Sequence, residues 1–359
     1  MAIKEITGRL KDIEFDLITS KLKRGLPGFE RVGNVNVHRI GSGNKILDKS
    51  LLPNLGFLRA LRLNKKKKYD LVHGVMASQG SAAAYLFKFF NKNTPFVLTL
   101  QEGDLDRNSP FDRFWQKRIV KKADAITAIS GYLAEFAQKY NKKAPVHIVP
   151  NGADLEGIKY KVSSIKYEEK KGKKTIITVS RLVFKNGIDI LIKAFSILNT
   201  KYLIPNTDLL IIGDGPEREK LEKLALKSGV AGRVRFLGNL PNEKVPTHLA
   251  TAVVFVRPSR SEGLGSAFLE AMAAGVPIIG TKVGGIPDFL EDGETGLFSK
   301  VDDPIDLAEK IMMVLENESL SRKLSENGRK LVEERYDWDR IAVSMKEVYE
   351  KTIDNHSGI

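Results

Sequence analysis

Short apolar runs rich in β-branched residues alternate with helix-like stretches along almost the whole sequence. Runs of this length, bounded by glycine, proline and polar residues, predict strands. In the first half they are EFDLITS, VNVHRI, YDLVHGV, PFVLTL, DAITAIS and VHIVP. In the second half they are TIITVSR, DLLIIGDG, RVRFLG, AVVFVRPS, VPIIGT and TGLFS. Strands separated by helices predict parallel sheets covered by helices, so the expected fold class is α/β.

The chain is long enough for two such domains. It has 359 residues, and a lysine-rich stretch at residues 159–174 interrupts the pattern without an apolar period, as a linker does. We predict a doubly wound N-terminal domain over residues 1–160, joined by a C-terminal helix over 338–355, and a doubly wound second domain over 161–337. Ligands of such sheets bind beyond the carboxyl ends of the strands, so the cleft between the domains is the expected site.

The basic residues are concentrated in the first half. The formal net charge is +14, and residues 1–150 hold 27 Lys and Arg against 13 Asp and Glu, while the rest of the chain holds 31 of each. Such asymmetry is expected where one half of a protein meets an anionic surface. The alternative is a lysine-rich solvated surface. Residues 65–68 fit this alternative as the cationic end of a helix over PNLGFLRALRL.

Several classes of protein are excluded or disfavoured by composition. The chain has no cysteine, so disulfides and thiolate chemistry are excluded. Its five histidines lack the spacing of a metal-ligand set, so no metal site is expected. No apolar run approaches the about 18 residues of a membrane span, and the beginning MAIKEITGRL lacks the features of a cleaved signal. We therefore expect a cytoplasmic protein without a metal or a cofactor.

The segment PSRSEGLGSAFLEAMAAG is the most informative part of the second half. It follows a predicted strand, forms a glycine-bearing turn at residues 262–265 and enters a helix near Ser266. Helix N-termini present unbonded amide groups, and glycine lets a phosphate approach the backbone. Glu270, about one turn into the helix, is placed to accept hydrogen bonds from a ribose, and Glu262 to accept them from a sugar. The alternative is a surface turn and a helix with one exposed glutamate.

Two cations stand beyond the first strand of the same domain. Arg181 and Lys185 follow TIITVS directly before a predicted helix. At that place they can clamp a diphosphate and stabilise negative charge on a leaving group. The alternative is a pair of solvated charges at a turn. The nearby GDGPE begins like a dinucleotide fingerprint, but Arg218 takes the place of the third glycine, which argues against a dehydrogenase.

Together these segments resemble the retaining glycosyltransferases of family 4, which have the GT-B fold. The matching segments, in order, are SRLVFK, GDGPE, FLG and PSRSEGLG, with Glu262 and Glu270 separated by seven residues and followed by AMAAG. Weaker matches in the first half are VHG, TLQEGD, ADAITAIS and PNGAD. The resemblance covers nearly the whole chain.

The resemblance implies a role for each candidate residue. It implies that Arg181 and Lys185 hold the donor diphosphate, Glu262 the transferred sugar and Glu270 the ribose, without a metal. It places Gln101 on the acceptor side. The residues that it assigns to the remaining donor contacts are Gly263, Leu264, Gly265, Gly213 and Leu240.

Three positions depart from the family pattern. Lys185 lies one position before the usual lysine, where Asn186 stands. Gln101 replaces a histidine, and an amide cannot take up a proton as imidazole does. Family members open with a strand and a glycine-rich loop, whereas here EFDLITS fits the second strand and residues 2–13 the end of the preceding helix. We expect the N-terminal domain to lack its first strand, unless sequence upstream of Met1 supplies it.

The function that the resemblance implies is transfer of a sugar from a nucleotide-diphospho-sugar to a glycan or lipid-linked acceptor, with retention of configuration. Such an enzyme would serve cell-envelope polysaccharide synthesis as a cytoplasmic protein, peripheral at the inner face of an anionic membrane. The alternative is a catalytically impaired family member that acts as a binding subunit, which Gln101 and the missing strand favour. An epimerase on the same fold is a third class. No nucleic-acid partner is expected, because aromatic residues are not interleaved with the basic ones.

Overall fold

The computed structural model describes residues 2–101, 103, 110–164, 174–204 and 206–358. The chain forms two compact units. Unit 1 is Met1–Asn151 with Trp338–Ile359, and unit 2 is Gly152–Asp337.

Strands and helices alternate through both units. The elements of the first part of unit 1 are α1 (Ala2–Arg9), β1 (Phe15–Ser20), β2 (Phe29–Val32), β3 (Val35–Ile40), α2 (Lys45–Lys66), β4 (Val72–Val75), α3 (Gln79–Phe90), β5 (Phe96–Leu100), α4 (Pro110–Lys122), β6 (Ala125–Ala128), α5 (Gly131–Tyr140) and β7 (Val146–Ile148). Those of unit 2 are α6 (Leu155–Ser164), β8 (Lys174–Val179), α7 (Ile188–Thr200), β9 (Thr207–Ile212), α8 (Arg218–Lys227), β10 (Val234–Gly238), α9 (Val245–Ala250), β11 (Val254–Val256), α10 (Ser266–Ala273), β12 (Ile278–Thr281), β13 (Leu297–Ser299), α11 (Pro304–Glu316) and α12 (Glu318–Arg335). The chain then returns to unit 1 as α13 (Trp338–Ser357).

The unit boundary lies ahead of the one that the sequence predicted at residue 160. Helix α6 packs against α9 and α10, and its Ile158 is buried, so these residues belong to unit 2. Because lysines surround Ile158 in the sequence, no apolar pattern predicted this contact. Residues 165–173 of the predicted linker lie outside the described part of the chain. Helix α13 packs on α1 within unit 1, where Trp338, Ile341 and Met345 are buried.

The strands of unit 1 form two sheets. Strands β4, β5, β6 and β7 make a parallel sheet in that order. In the other sheet, ordered β1-β3-β2, β1 and β3 are parallel but β2 is antiparallel to β3. The prediction of a wholly parallel sheet is therefore wrong for β2, which the sequence pattern missed. Gly33 and Asn34 form the two-residue connection of a hairpin, and Gly33 has φ +59°, as such turns require.

A cavity of about 640 Å³ lies within unit 1 and is lined by residues of both sheets. Its walls include Leu17 of β1 and Val72 of β4, with Leu52 and Phe87 of α2 and α3 and Met345 of α13. Among the described strands, β1 pairs only with β3, and β4 only with β5. The second edge of β1 and of β4 therefore has no strand partner in the described part of the chain.

Unit 2 contains one six-stranded parallel sheet. Its order is β10-β9-β8-β11-β12-β13, and it includes all six strands predicted for the second half. This is the 3-2-1-4-5-6 order of a doubly wound sheet, in which the direction of winding reverses between the first and fourth strands, here β8 and β11. Ligands of such sheets bind at the carboxyl ends of the strands on either side of that reversal.

No helix in the described ranges has both the length and the apolar character needed to cross a membrane.

Candidate functional site

A pocket of about 430 Å³ opens at the carboxyl ends of β8, β9 and β10 in unit 2. Small-molecule sites have volumes of about 300–1,000 Å³, so the pocket is large enough for part of a nucleotide. Three of the predicted donor residues, Arg181, Gly213 and Leu240, line it. The other lining residues are Val179, Ser180, Ile212, Asp214, Asn239, Asn242 and Val245. The hydroxyl of Ser180 is buried without a hydrogen-bond partner among the described residues.

Gly213 allows the turn after β9 to lie directly against the end of β8. Its φ is +126°, and a Cβ at this position would lie 1.9 Å from the carbonyl oxygen of Ser180. Its amide donates to the carbonyl of Gly238, at 2.8 Å. No other residue fits here, because any side chain would collide with backbone. Gly213, the first glycine of GDGPE, thus shapes the wall of the pocket.

The two predicted cations occupy different positions relative to the pocket. Arg181 is exposed and lines the pocket. Lys185 is partly buried on a single 3₁₀ turn (Phe184–Asn186) and is not among the lining residues. Asn186, which stands where the lysine was expected, is buried, and its side-chain amide donates to the carbonyl of Arg181, at 2.6 Å. Asn186 therefore fixes the backbone at Arg181.

The glycine-bearing turn lies between β11 and α10, on the other side of the winding reversal. Its residues Gly263, Leu264 and Gly265 are buried. Gly265 has φ +94°, and a Cβ there would lie 2.8 Å from the Phe268 ring. Helix α10 begins at the next residue without a side-chain cap. Its first amide groups and the positive end of its dipole can therefore bind an anionic group.

Glu262 forms a buried ion pair that the sequence analysis missed. Nη2 of Arg257 donates to Oε2 of Glu262, and these side chains are only 7% and 15% exposed. Oε1 of Glu262 accepts a hydrogen bond from the amide of Gly263, at 3.1 Å. The available signal was an arginine directly after a buried strand, at its carboxyl end. The partner of that arginine becomes evident only in three dimensions.

Glu270 lies on α10 and is partly buried. Burial raises its pKa to about 7, and the carboxylate of Asp154 acts in the same direction. The positive charge of Arg257 opposes this shift by lowering the pKa of Glu270. A carboxyl group of this kind accepts hydrogen bonds from hydroxyls when ionised, as the predicted contact with a ribose requires.

Gln101, the predicted acceptor-side residue, lies in unit 1. It follows β5, is partly buried and lines the cavity of about 640 Å³. Glu102 and Asp104, from the same TLQEGD segment, lie outside the described residues.

Two histidines of unit 1 take part in internal hydrogen bonds. His38 pairs with Asp16, and His73 contacts the hydroxyls of Thr99 and Tyr349. Burial lowers the pKa of His73 to about 4, so its ring is neutral. In the described ranges no three His, Asp or Glu side chains are grouped so as to hold a metal ion.

Two family models match the chain along most of its length. The model for Glycosyltransferase Family 4 matches residues 9–156, and that for Glycosyl transferases group 1 matches residues 161–331. An uncharacterised glycosyltransferase of Methanocaldococcus jannaschii is 28% identical over 357 residues, which cover 98% of this chain and 94% of that protein. The GDP-mannose-dependent α-(1-6)-phosphatidylinositol monomannoside mannosyltransferase of Mycobacterium tuberculosis is 31% identical over 248 residues, 66% of this chain and 64% of that enzyme.

Solved structures share the fold. A sucrose-phosphate synthase from Thermosynechococcus elongatus has a TM-score of 0.83 at 22% identity, covering 97% of this chain and 92% of that one. Anabaena HepE, solved in complex with UDP and glucose, has a TM-score of 0.76 at 19% identity, covering 94% and 100%. The predicted GT-B fold is confirmed. The chain therefore belongs to the family 4 glycosyltransferases, with its group 1 segment in unit 2.

Proposed function

We propose that the chain transfers a sugar from a nucleotide-diphospho-sugar to a hydroxyl group of a glycan or lipid-linked acceptor, with retention of configuration. One observation carries this proposal. The pocket lined by Arg181 and the turn that bears Glu262 lie at the same edge of one doubly wound sheet, on strands either side of its winding reversal. Two relatives support it, because the M. tuberculosis enzyme is named GDP-mannose-dependent and HepE has been solved with UDP-glucose.

In this mechanism the protein stabilises charge on the leaving group. Arg181 binds the diphosphate, with Lys185 as a second cation, while the bond between the anomeric carbon and the phosphate oxygen breaks. The electron pair of that bond stays with the diphosphate. The acceptor oxygen bonds to the anomeric carbon on the same face, and its proton passes to the leaving diphosphate. The amides of Leu264 and Gly265 bind phosphate and sugar oxygens, whereas that of Gly263 donates to the carboxylate of Glu262.

The two glutamates bind opposite parts of the donor. Glu262 accepts a hydrogen bond from the transferred sugar, and Glu270 accepts one from the ribose. Neither needs to attack the anomeric carbon, in contrast to the nucleophilic carboxylate of a retaining glycosidase.

Substitution of Arg181 tests the proposal. Arg181→Ala should lower turnover by about 10²-fold, because it removes a cation that stabilises the leaving group. Glu270→Ala should mainly weaken nucleotide binding. Arg322→Ala, which removes an exposed arginine of α12 in the same unit, is the matched control and should leave turnover unchanged. Full activity of both Arg181→Ala and Glu270→Ala would contradict the assignment of the site.

The donor can be identified with the wild-type protein. Nucleotides and nucleotide sugars are added one at a time, and the unfolding temperature is measured. A ligand at 100 times its dissociation constant stabilises the folded state by about 2.7 kcal/mol, so the ranking of the shifts names the donor.

We further propose that unit 1 associates with anionic membranes, where a lipid-linked acceptor would lie. Helix α2 ends with Lys65 and Lys66 and exposes Leu55 and Leu58. Basic and exposed apolar residues on one helix are typical of helices that bind at a membrane surface.

A binding role without turnover is the second candidate function. Gln101 favours it, because the resemblance predicts a histidine at that place. A protein that binds nucleotide sugar but consumes none with any acceptor would support this role.

A further inference from the structure

Arg257 lies against the glycine-bearing turn, which carries Glu262 and leads to Glu270 on α10. Its guanidinium bonds to Glu262, as described above, and its charge acts on Glu270. The guanidinium carbon lies 4.8 Å from the centroid of the Phe268 ring on α10. A Cβ at Gly265 would lie 2.9 Å from Nη2, so the backbone of the turn rests directly against the guanidinium. The guanidinium of Arg257 therefore packs between the backbone of the turn and the Phe268 ring.

The hydrogen bonds of Arg257 are directed mainly to Glu262. Besides its bond to Glu262, Nη1 donates a long bond of 3.4 Å to the carbonyl of Val179. Nε is buried without a hydrogen-bond partner among the described residues. Most buried side-chain donors have a hydrogen-bond partner, so this Nε is an exception. The ion pair with Glu262 is therefore the main polar interaction that this arginine makes.

Arg233 in the same unit makes a similar contact with a ring but differs from Arg257 in its hydrogen bonds. Its guanidinium also lies over a phenylalanine ring, that of Phe195, at 5.5 Å. However, Nε donates to the carbonyl of Thr207 at 2.9 Å, Nη2 to that of Ile204 at 2.8 Å, and Nη1 to the side chain of Asn199. These partners lie near the amino end of β9, away from the candidate site. Arg233 is a structural arginine with its donors in use.

The carboxylate of Glu262 can accept further hydrogen bonds while Arg257 and the amide of Gly263 hold it in place. One oxygen accepts from Arg257 and the other from the amide of Gly263. A carboxylate has about four lone-pair sites, so each oxygen can accept another hydrogen bond. Without Arg257, the neighbouring amide alone would orient the side chain.

We propose that Arg257 is a positioning residue that holds the carboxylate of Glu262 in the orientation that binds the transferred sugar. The proposal rests on the proposed function. It assigns Arg257 to the sugar part of the donor, because Arg257 is hydrogen-bonded to Glu262, whereas its action on Glu270 is electrostatic only. It also predicts that the losses of kcat caused by substitutions at Arg257 and at Glu262 are not additive.

The experiment compares Arg257→Met, Arg257→Lys, Glu262→Gln, the double variant Arg257→Met with Glu262→Gln, and the control Arg233→Met. Turnover and KM are measured with the best donor, and binding of the free nucleoside diphosphate is measured by calorimetry. Arg257→Met should lower kcat by roughly 10- to 100-fold, by analogy with the loss of a residue that orients a ligand at metal sites. Its affinity for the nucleoside diphosphate, measured well above pH 7 so that Glu270 stays ionised without Arg257, should stay within about twofold. Arg257→Lys should recover part of kcat, because lysine keeps the charge.

The control and the double variant separate positioning from general damage. Arg233→Met should lower the unfolding temperature but leave kcat of the folded protein unchanged. In the Glu262→Gln background, Arg257→Met should add little further loss, because residues that act as a unit are not additive. If Arg257→Met does not fold, the same comparisons are made with Arg257→Lys.

The role of Arg257 would be overturned by a multiplicative loss in the double variant, or by a loss of nucleoside diphosphate affinity as large as the loss of kcat. An unchanged kcat in Arg257→Met would do the same. A wild-type protein that binds no nucleotide sugar would instead contradict the proposed function itself.

Discussion

Glu270 couples the stability of the protein to pH. Its pKa rises from 4.5 to about 7 in the folded state, chiefly through burial, with Asp154 and Arg257 acting in opposite directions. The folded state therefore binds more protons than the unfolded chain between these values. By linkage, the free energy of unfolding decreases as the pH rises through this interval.

Replacing Glu270 by glutamine should remove this dependence. The amide of the new side chain stays neutral at all pH values, so Glu270→Gln should be more stable than wild type above pH 7 and should lose that advantage below about pH 4.5. Urea unfolding midpoints across this range measure the effect. Glu326→Gln, at an exposed position of α12, is the control and should show no such trend. A stability difference that does not change with pH would contradict the prediction.

At the level of single residues, the sequence analysis reached those whose location depends only on their position along the chain, while their roles stay predictions. Arg181, Gly213 and Leu240 line the pocket because each follows a strand at its carboxyl end. Arg257 follows a strand in the same way, yet its role depends on side-chain contacts with Glu262 and Phe268 that no spacing encodes. The assignment of Lys185 to the donor diphosphate stays a prediction.

The loop after β12 supports the glycine-bearing turn from outside. Gly284 has φ +54°, and a Cβ there would lie 1.8 Å from the carbonyl oxygen of Glu262. The next amide, of Gly285, donates to the same oxygen at 3.2 Å. This loop therefore fixes the backbone on which Glu262 is placed.

Gly284→Ala should displace the loop and the turn together. Gly293→Ala is the matched control, because Gly293 also has positive φ, +76°, but a Cβ there meets nothing within 4 Å. The control should lose roughly 1–2 kcal/mol from backbone strain alone. Gly284→Ala should lose more, and its turnover should fall as well. Equal unfolding midpoints and equal turnover in the two variants would show that the loop does not support the turn.

At the level of elements, apolar periodicity predicted every strand that is buried. Strand β2 was not predicted, because most of its residues are exposed and its sequence has no apolar alternation. Its only strand partner in the described part of the chain is β3. The Gly-Asn pair that connects it to β3 was the available signal. Helix α6 was not predicted for a related reason, because its buried residue Ile158 stands among lysines in the sequence.

At the level of the whole molecule, the excess positive charge lies in residues 1–150, within unit 1. Sedimentation with vesicles of increasing anionic lipid content should therefore show binding that salt reverses. Each basic residue near the surface contributes about 1 kcal/mol, so the variant with both Lys65→Gln and Lys66→Gln should bind about 30-fold more weakly. Lys220→Gln with Lys223→Gln, on α8 of unit 2, is the matched control. Equal binding to neutral and anionic vesicles would exclude the electrostatic association.

The cavity in unit 1 affects how unfolding of this protein should be followed. Apolar fluorescent dyes normally report partly folded states, because native cores exclude them. A cavity of about 640 Å³ with walls such as Leu52 and Phe87 offers such a dye a site in the folded protein. Dye fluorescence should therefore be high before heating begins. Intrinsic tryptophan emission gives the cleaner signal for unit 1, since both tryptophans of the chain, Trp115 and Trp338, belong to that unit.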